Sequence, residues 1–152
     1  MKKIIILIPV YNDWESLNKL LSGINENIKS FSEINFECLI VNDASSVQPP
    51  ELKKPSNFSS IELLNMKENR GHARCNAFGI RYVFQNKKFD NLILMDGDGE
   101  DRPEEIKSLV KKIEENPNLS VVAKRVKRSE GIFFQSLYQL HKLITIIFTG
   151  QN

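Results

Sequence analysis

The sequence predicts an α/β fold built on a mostly parallel sheet with helices on both faces. Three observations predict it. Short, wholly apolar runs recur along the chain, without the alternation that marks a half-exposed strand. Between them lie segments whose apolar residues repeat every three or four positions, the spacing of amphipathic helices. Polar clusters rich in Asn, Asp and Gly follow the runs, and in an open sheet of this class ligands bind at the carboxyl ends of the strands. The 152 residues, 41% hydrophobic and 26% charged, suffice for one core and are too polar for an integral membrane protein. Seven Gly and six Pro are ordinary numbers, which excludes collagen-like, low-complexity and wholly disordered classes.

Taken in order, the first strand is Ile4 to Val10, which follows Met1-Lys2-Lys3 and carries no small-residue cleavage site, so it reads as a buried strand and not as a secretory signal. Leu17, Leu20, Leu21, Ile24 and Ile28 then mark the first helix. Phe36 to Val41 is the second strand. Ser45 to Ser60, with Pro49, Pro50 and Pro55 among several serines, is expected to be an irregular, mobile connection. Ile61 to Leu64 is the third strand, and Gly71 to Phe84 a helix that starts after a glycine, as phosphate-binding helices do. Asn91 to Met95 is the fourth strand. A third helix begins near Pro103, with Asp101 and Glu104 at capping-box spacing, and Leu119 to Ala123 is a fifth strand.

The remainder differs in character. Lys124, Arg125, Lys127, Arg128 and Lys142 stand against Glu130 alone, although the whole chain is only +2, and Phe133, Leu137, Leu140, Ile144 and Ile147 share one helical face. Residues 1–123 therefore read as the core and 124–152 as a basic amphipathic segment, suited to a membrane surface or to a homodimer interface. Gln, His and Lys within that segment argue against a membrane span. Cys38 and Cys75 lack metal-ligand spacing and read as free thiols in a reducing, cytoplasmic compartment. No nucleic-acid partner is expected.

The sharpest chemical signal is Asp96-Gly97-Asp98-Gly99-Glu100-Asp101, four carboxylates directly after a buried strand. They repel one another unless a cation is present, and oxygen ligands at this density suit Mg²⁺ or Mn²⁺. A solvated acidic turn capping the next helix is the plainer alternative. An EF-hand is excluded, since its sixth and twelfth positions should be Gly and Glu and are Asp101 and Lys107. A haloacid-dehalogenase-like phosphohydrolase with Asp96 as nucleophile shares D-x-D-G, yet its usual Thr or Ser is Glu100 here, and its motif follows the first strand.

In order along the chain, Pro9-Val10-Tyr11-Asn12-Asp13 is similar to P-x-Y-N-E, Val41-Asn42-Asp43-Ala44-Ser45 to V-D-D-G-S with Asn42 and Ala44 as departures, Asn69 to Gly79 to N-x-G-x-x-x-A-R-N-x-G, and Asp96-Gly97-Asp98 to D-x-D. Four such motifs, each at a strand's carboxyl end, resemble the family 2 glycosyltransferases of the Rossmann-like GT-A fold. The run Gly99 to Glu104 is similar to the dolichyl- or polyprenyl-phosphate sugar synthase branch. The resemblance implies a UDP- or GDP-linked sugar donor, with Pro9, Tyr11, Asp13, Asp43, Asn69, Gly71, Arg74, Asp96, Gly97 and Asp98 around it. Asp96 and Asp98 would hold the metal, Asp13 and Asp43 would lie near base and ribose, and Arg74 near the phosphates.

As alternatives, Asp13 is a helix N-cap, Arg74 a surface charge and Tyr11 a packing residue. His72 and His141 lack partner ligands and read as structural or solvent-facing. The family's general base lies further along the chain than Asn152, so no catalytic residue is assigned, and the sheet is expected to be incomplete at its C-terminus. A lipid phosphate acceptor, already ionised near neutrality, needs no base. A non-catalytic nucleotide-binding module stays open beside the transferase.

Overall fold

The computed structural model describes residues 1–117 and 119–123. The elements are β1 (Lys2–Val10), α1 (Trp14–Ile28), β2 (Ile34–Asn42), β3 (Ser60–Asn65), α2 (His72–Asn86), β4 (Asn91–Leu94) and, after a 3-10 turn at Pro103–Glu105, α3 (Ile106–Glu115). The first compact unit of the chain runs from Met1 to Val121, and the basic amphipathic segment expected over 124–152 lies outside the described residues.

Four strands pair in the order β3-β2-β1-β4, every pair parallel. Being central, β1 is covered on both faces, which explains its unbroken apolar run. Ile4, Ile6 and Ile8 join Phe36, Cys38 and Ile40 of β2 against Leu17, Leu21 and Ile24 of α1 and Ile106 and Val110 of α3. Alternate residues Ile5, Leu7, Leu39 and Val41 meet Cys75 and Val83 of α2 on the opposite face. The expected α/β architecture with helices on both faces is borne out. The close seat of α2 requires Gly79, where a Cβ would lie 2.5 Å from Leu7 Cδ1 and 2.8 Å from Val41 Cγ2. Tyr82 of α2 and Lys87, which caps its C-terminus, both donate to Glu62, tying the helix to edge strand β3.

Three local expectations need correction. Leu119 to Ala123 forms no strand: Leu119 N donates to Asn116 O in a turn, Val121 leans on the core, and Leu119 is 69% exposed. An apolar run shows only that side chains seek cover, and a strand also needs a backbone partner, which this run lacks among the described residues. The capping box does not form either. Asp101 Oδ2 accepts from Asp96 N at 2.7 Å, and neither the 3-10 turn nor α3 has a side-chain cap. The loop after β2 is irregular but anchored: Asn57 donates twice to Asn25, Ser59 donates to Phe36 O, and Phe58 is 1% exposed.

Candidate functional site

The strand order reverses at β1, with β2 on one side and β4 on the other, and a crevice outside the carboxyl ends of the strands opens at such a switch point. Here it is a cavity of about 170 Å³. Pro9, Tyr11 and Asp13 from the end of β1, Asp43 from β2, and Asp96, Gly97 and Asp98 from β4 all line it. The wall also includes Val10, His72 and Cys75. Small-molecule sites run to roughly 300–1,000 Å³, so this space accommodates part of a ligand, on the scale of a diphosphate and its counter-ion.

On the β2 side Asn12, Asp13, Asn42 and Asp43 are all engaged in hydrogen bonds. Asp13 Oδ1 accepts from Ser16 N at 3.1 Å and caps α1, as the plainer alternative had it. Asp43 is 4% exposed, and its two oxygens accept from Arg70 N and Gly71 N, both at 2.8 Å, so it fixes the entry to α2. Asn42 donates to Asn65 Oδ1 and accepts from Ser45 N, bridging the ends of β2 and β3. Asn12, at φ 58°, accepts from Ser46 Oγ and Val47 N while its own N–H donates to Ser45 Oγ. Trp14 Nε1 adds a bond to Val47 O. Ala44 also has a positive φ, of 56°, at the position where the V-D-D-G-S pattern has glycine.

The β4 side gathers four carboxylates within six residues. Asp98 Oδ1 accepts from Glu100 N, and Asp96 lies between burial and its neighbours. Burial raises the Asp96 carboxyl above its ordinary value, Asp101, Asp98 and Glu100 push the same way, and the His72 imidazole opposes them from 3.3 Å. Gly97 lets this loop approach β1: a Cβ would lie 2.8 Å from Pro9 O and 3.1 Å from Ile8 Cγ2. Burial also pushes the Cys75 thiol up to about 11, with Asp43 adding to it, so it is neutral at the cavity wall and no nucleophile. Cys38, fully inside the core, is raised by burial as well. Both cysteines are free.

A profile of the family described as "Glycosyl transferase family 2" matches residues 5–152. The chain belongs to glycosyl transferase family 2. Among family members of known function, the undecaprenyl-phosphate 4-deoxy-4-formamido-L-arabinose transferase of Salmonella choleraesuis (strain SC-B67) is 31% identical over 152 residues, covering 99% of this chain and 45% of that protein. Its counterpart in Salmonella paratyphi B is 30% identical over the same span. The chain spans about half the length of these relatives. Among solved structures, S. aureus TarS 1-349 superposes with a TM-score of 0.58 at 18% identity, over 82% of this chain and 39% of that one. The same fragment in complex with UDP-GlcNAc gives 0.57 at 19% identity, over 85% and 38%. These neighbours share the fold. The family membership read from the four motifs is borne out, and it sets the phosphohydrolase alternative aside.

Three of the predicted donor-site residues do not line the cavity. Asn69 Oδ1 accepts from Gly71 N at 3.1 Å, and Gly71 is the N-cap of α2, so both shape the loop held by Asp43. Arg74 is exposed on α2. His72 and Cys75, three apart on the same helix, share the face that reaches the cavity, and the exposed Arg74 between them is not among its lining residues. That i, i+3 spacing, counted from the glycine that opens α2, was the available signal for the two residues that the sequence reading left out. Among the described residues no group of three or more His, Cys, Asp or Glu side chains is arranged to hold a metal, and no helix is long and apolar enough to cross a membrane.

Proposed function

We propose that this chain is the donor-binding part of an inverting glycosyltransferase that moves a sugar from a UDP- or GDP-linked donor to an acceptor. The observation that carries the reading is the cavity at the strand-order switch of a family 2 member, with Asp96 and Asp98 across from Tyr11, Asp13 and Asp43. The residues fit a divalent ion. Asp96 is held above its ordinary carboxyl range by burial and by like charges, a condition that a cation relieves, and two carboxylates plus donor phosphates form a set suited to Mg²⁺ or Mn²⁺. Such an ion neutralises the charge that develops on a departing nucleoside diphosphate. For its part the chain supplies Asp96 and Asp98 as ligands, the Asp43-braced loop as a floor, and Tyr11, 51% exposed, as a surface for the base.

Relatives named for undecaprenyl phosphate support a polyprenyl phosphate acceptor and hence action at the cytoplasmic face of a membrane. An acceptor phosphate is already ionised near neutrality and needs no general base. The basic segment over 124–152 is the proposed contact with anionic lipid, or else with a second copy in a homodimer. Sedimentation with vesicles tests this, and binding that rises with anionic lipid and falls with salt is expected. For the donor site the test is calorimetric titration of the full chain with UDP and GDP, with and without Mn²⁺. Asp98→Asn is expected to remove the metal-dependent part of binding and to leave the thermal midpoint unchanged. Equal affinities in the variant and the parent would overturn the metal assignment. No binding of either nucleotide would overturn the donor-site reading, and binding by the full-length protein without sugar transfer would identify a nucleotide-binding module.

A further inference from the structure

His72 plays no part in the reading above, although it stands on the cavity wall across from the acidic loop. Its Nε2 lies 2.9 Å from Asn76 Nδ2 and 3.3 Å from Asp96 Oδ1. The ring offers a lone pair at Nε2 when its proton sits on Nδ1, the tautomer in which Nε2 accepts from the Asn76 amide. Nε2 and Asp96 Oδ1 then face one cavity from different elements as two lone-pair donors, and Asp101, Asp98 and Glu100 add negative charge beside Asp96. A cation between them engages both.

The spacing suits such an ion. Adjacent ligands of an octahedral ion at about 2.1 Å lie about 3.0 Å apart, so both atoms reach one metal after a shift of a few tenths of an ångström. An imidazole nitrogen has one lone pair, so taking up the ion releases the Asn76 amide, whose bond to His72 is exposed to solvent and therefore cheap to exchange. We propose that His72 is itself a ligand of the divalent ion, through Nε2, and that with Asp96 it makes a mixed nitrogen and oxygen set that favours Mn²⁺ over Mg²⁺. Imidazole is a ligand of transition ions, whereas Mg²⁺ prefers oxygen and water. This inference rests on the proposed donor site.

Pulsed electron paramagnetic resonance of the full chain with Mn²⁺ and UDP, or GDP if that nucleotide binds, decides it. The expected result is a nitrogen coupling to Mn²⁺ that changes isotope when the protein is made with ¹⁵N-histidine and vanishes in His72→Gln. Removing even an outer partner of a metal ligand costs about 10–100-fold in affinity, so His72→Gln is expected to weaken Mn²⁺ binding about ten-fold or more, with Mg²⁺ binding much less affected. A Mn²⁺-nucleotide complex that forms without histidine coupling overturns the inference and leaves the proposed function standing. In that case the imidazole only donates a hydrogen bond to Asp96. Failure of UDP and GDP to bind under any metal condition overturns the proposed function and the inference together.

Discussion

The two sides of the cavity are built on opposite principles. On the β2 side, the side chains of Asn12, Asp13, Asn42 and Asp43 bond to backbone amides or to the side chains of Ser46 and Asn65. On the β4 side, Asp96, Asp98, Glu100 and Asp101 crowd together with the His72 ring 3.3 Å from Asp96, and burial together with the neighbouring carboxylates makes Asp96 harder to ionise. The first arrangement contributes stability, and the second costs some. Natural sequences tolerate such local cost where a ligand relieves it, so the difference separates scaffold from binding surface within a single cavity.

The comparison breaks most visibly at Asp43. Asp43→Ala removes two hydrogen bonds from a charged, buried acceptor and strands the amides of Arg70 and Gly71. Hydrogen bonds to charged groups contribute about 1.5–3 kcal/mol each, and with partly exposed amides the expected loss of stability is about 2–4 kcal/mol, read by thermal or urea denaturation. Nucleotide affinity should fall with it, because the cavity floor is the same loop. A variant with full stability would show that the loop stands without its brace.

Asn12→Ala is next. It deletes the acceptor for Ser46 and Val47 and leaves alanine at a positive φ, for an expected cost of about 1–2 kcal/mol. Ala44→Gly should act in the other direction. Relief of the left-handed backbone there, offset by the greater freedom of glycine in the unfolded chain, predicts a gain of up to about 1 kcal/mol and a higher thermal midpoint.

The smallest effect sharpens the contrast by its sign. Because Asp96 is held above its ordinary value in the folded chain, its ionisation opposes folding. Stability from this group is full at low pH and is lost as pH rises from about 4, the ordinary carboxylate value, through the raised one. Asp96→Asn removes that decline, so the metal-free variant should be as stable as the parent near neutrality, or slightly more so, within about 0.5 kcal/mol. Denaturation curves at pH 3 to 7 check it, and a clear destabilisation at neutral pH would place Asp96 with the scaffold.

Much of this was legible in the letters for a definite reason. Parallel strands covered on both faces have no polar side to alternate, so Ile4 to Val10 and Phe36 to Val41 announce themselves, and the residues that follow them mark the cavity edge. What escaped was decided by distant partners. The D-x-x-E spacing at Asp101 is equally compatible with a cap and with the bond to Asp96 N that it makes. The loop after β2 is rich in Pro and Ser, and nothing local to it says that Asn12, Trp14 and Asn25 hold it. Asp43 lines the cavity, and its spacing to Arg70 carries no sign that each of its oxygens also accepts a backbone amide.

The central position of β1 also has a consequence for biosynthesis. Its N-terminal end is closed by Lys3 and Asp90, which exchange hydrogen bonds across 87 residues, and β4 follows directly after. At ordinary elongation rates of about 5–20 residues per second, that partner emerges roughly 4–17 s after β1 does. During this interval the most apolar strand of the protein leaves the ribosome with one edge unpaired, and it can gain β2 before it gains β4. The nascent chain therefore depends on the early β1-α1-β2 unit to shelter that edge, and slow codons after β2 would lengthen the time in which a chaperone has to do so instead.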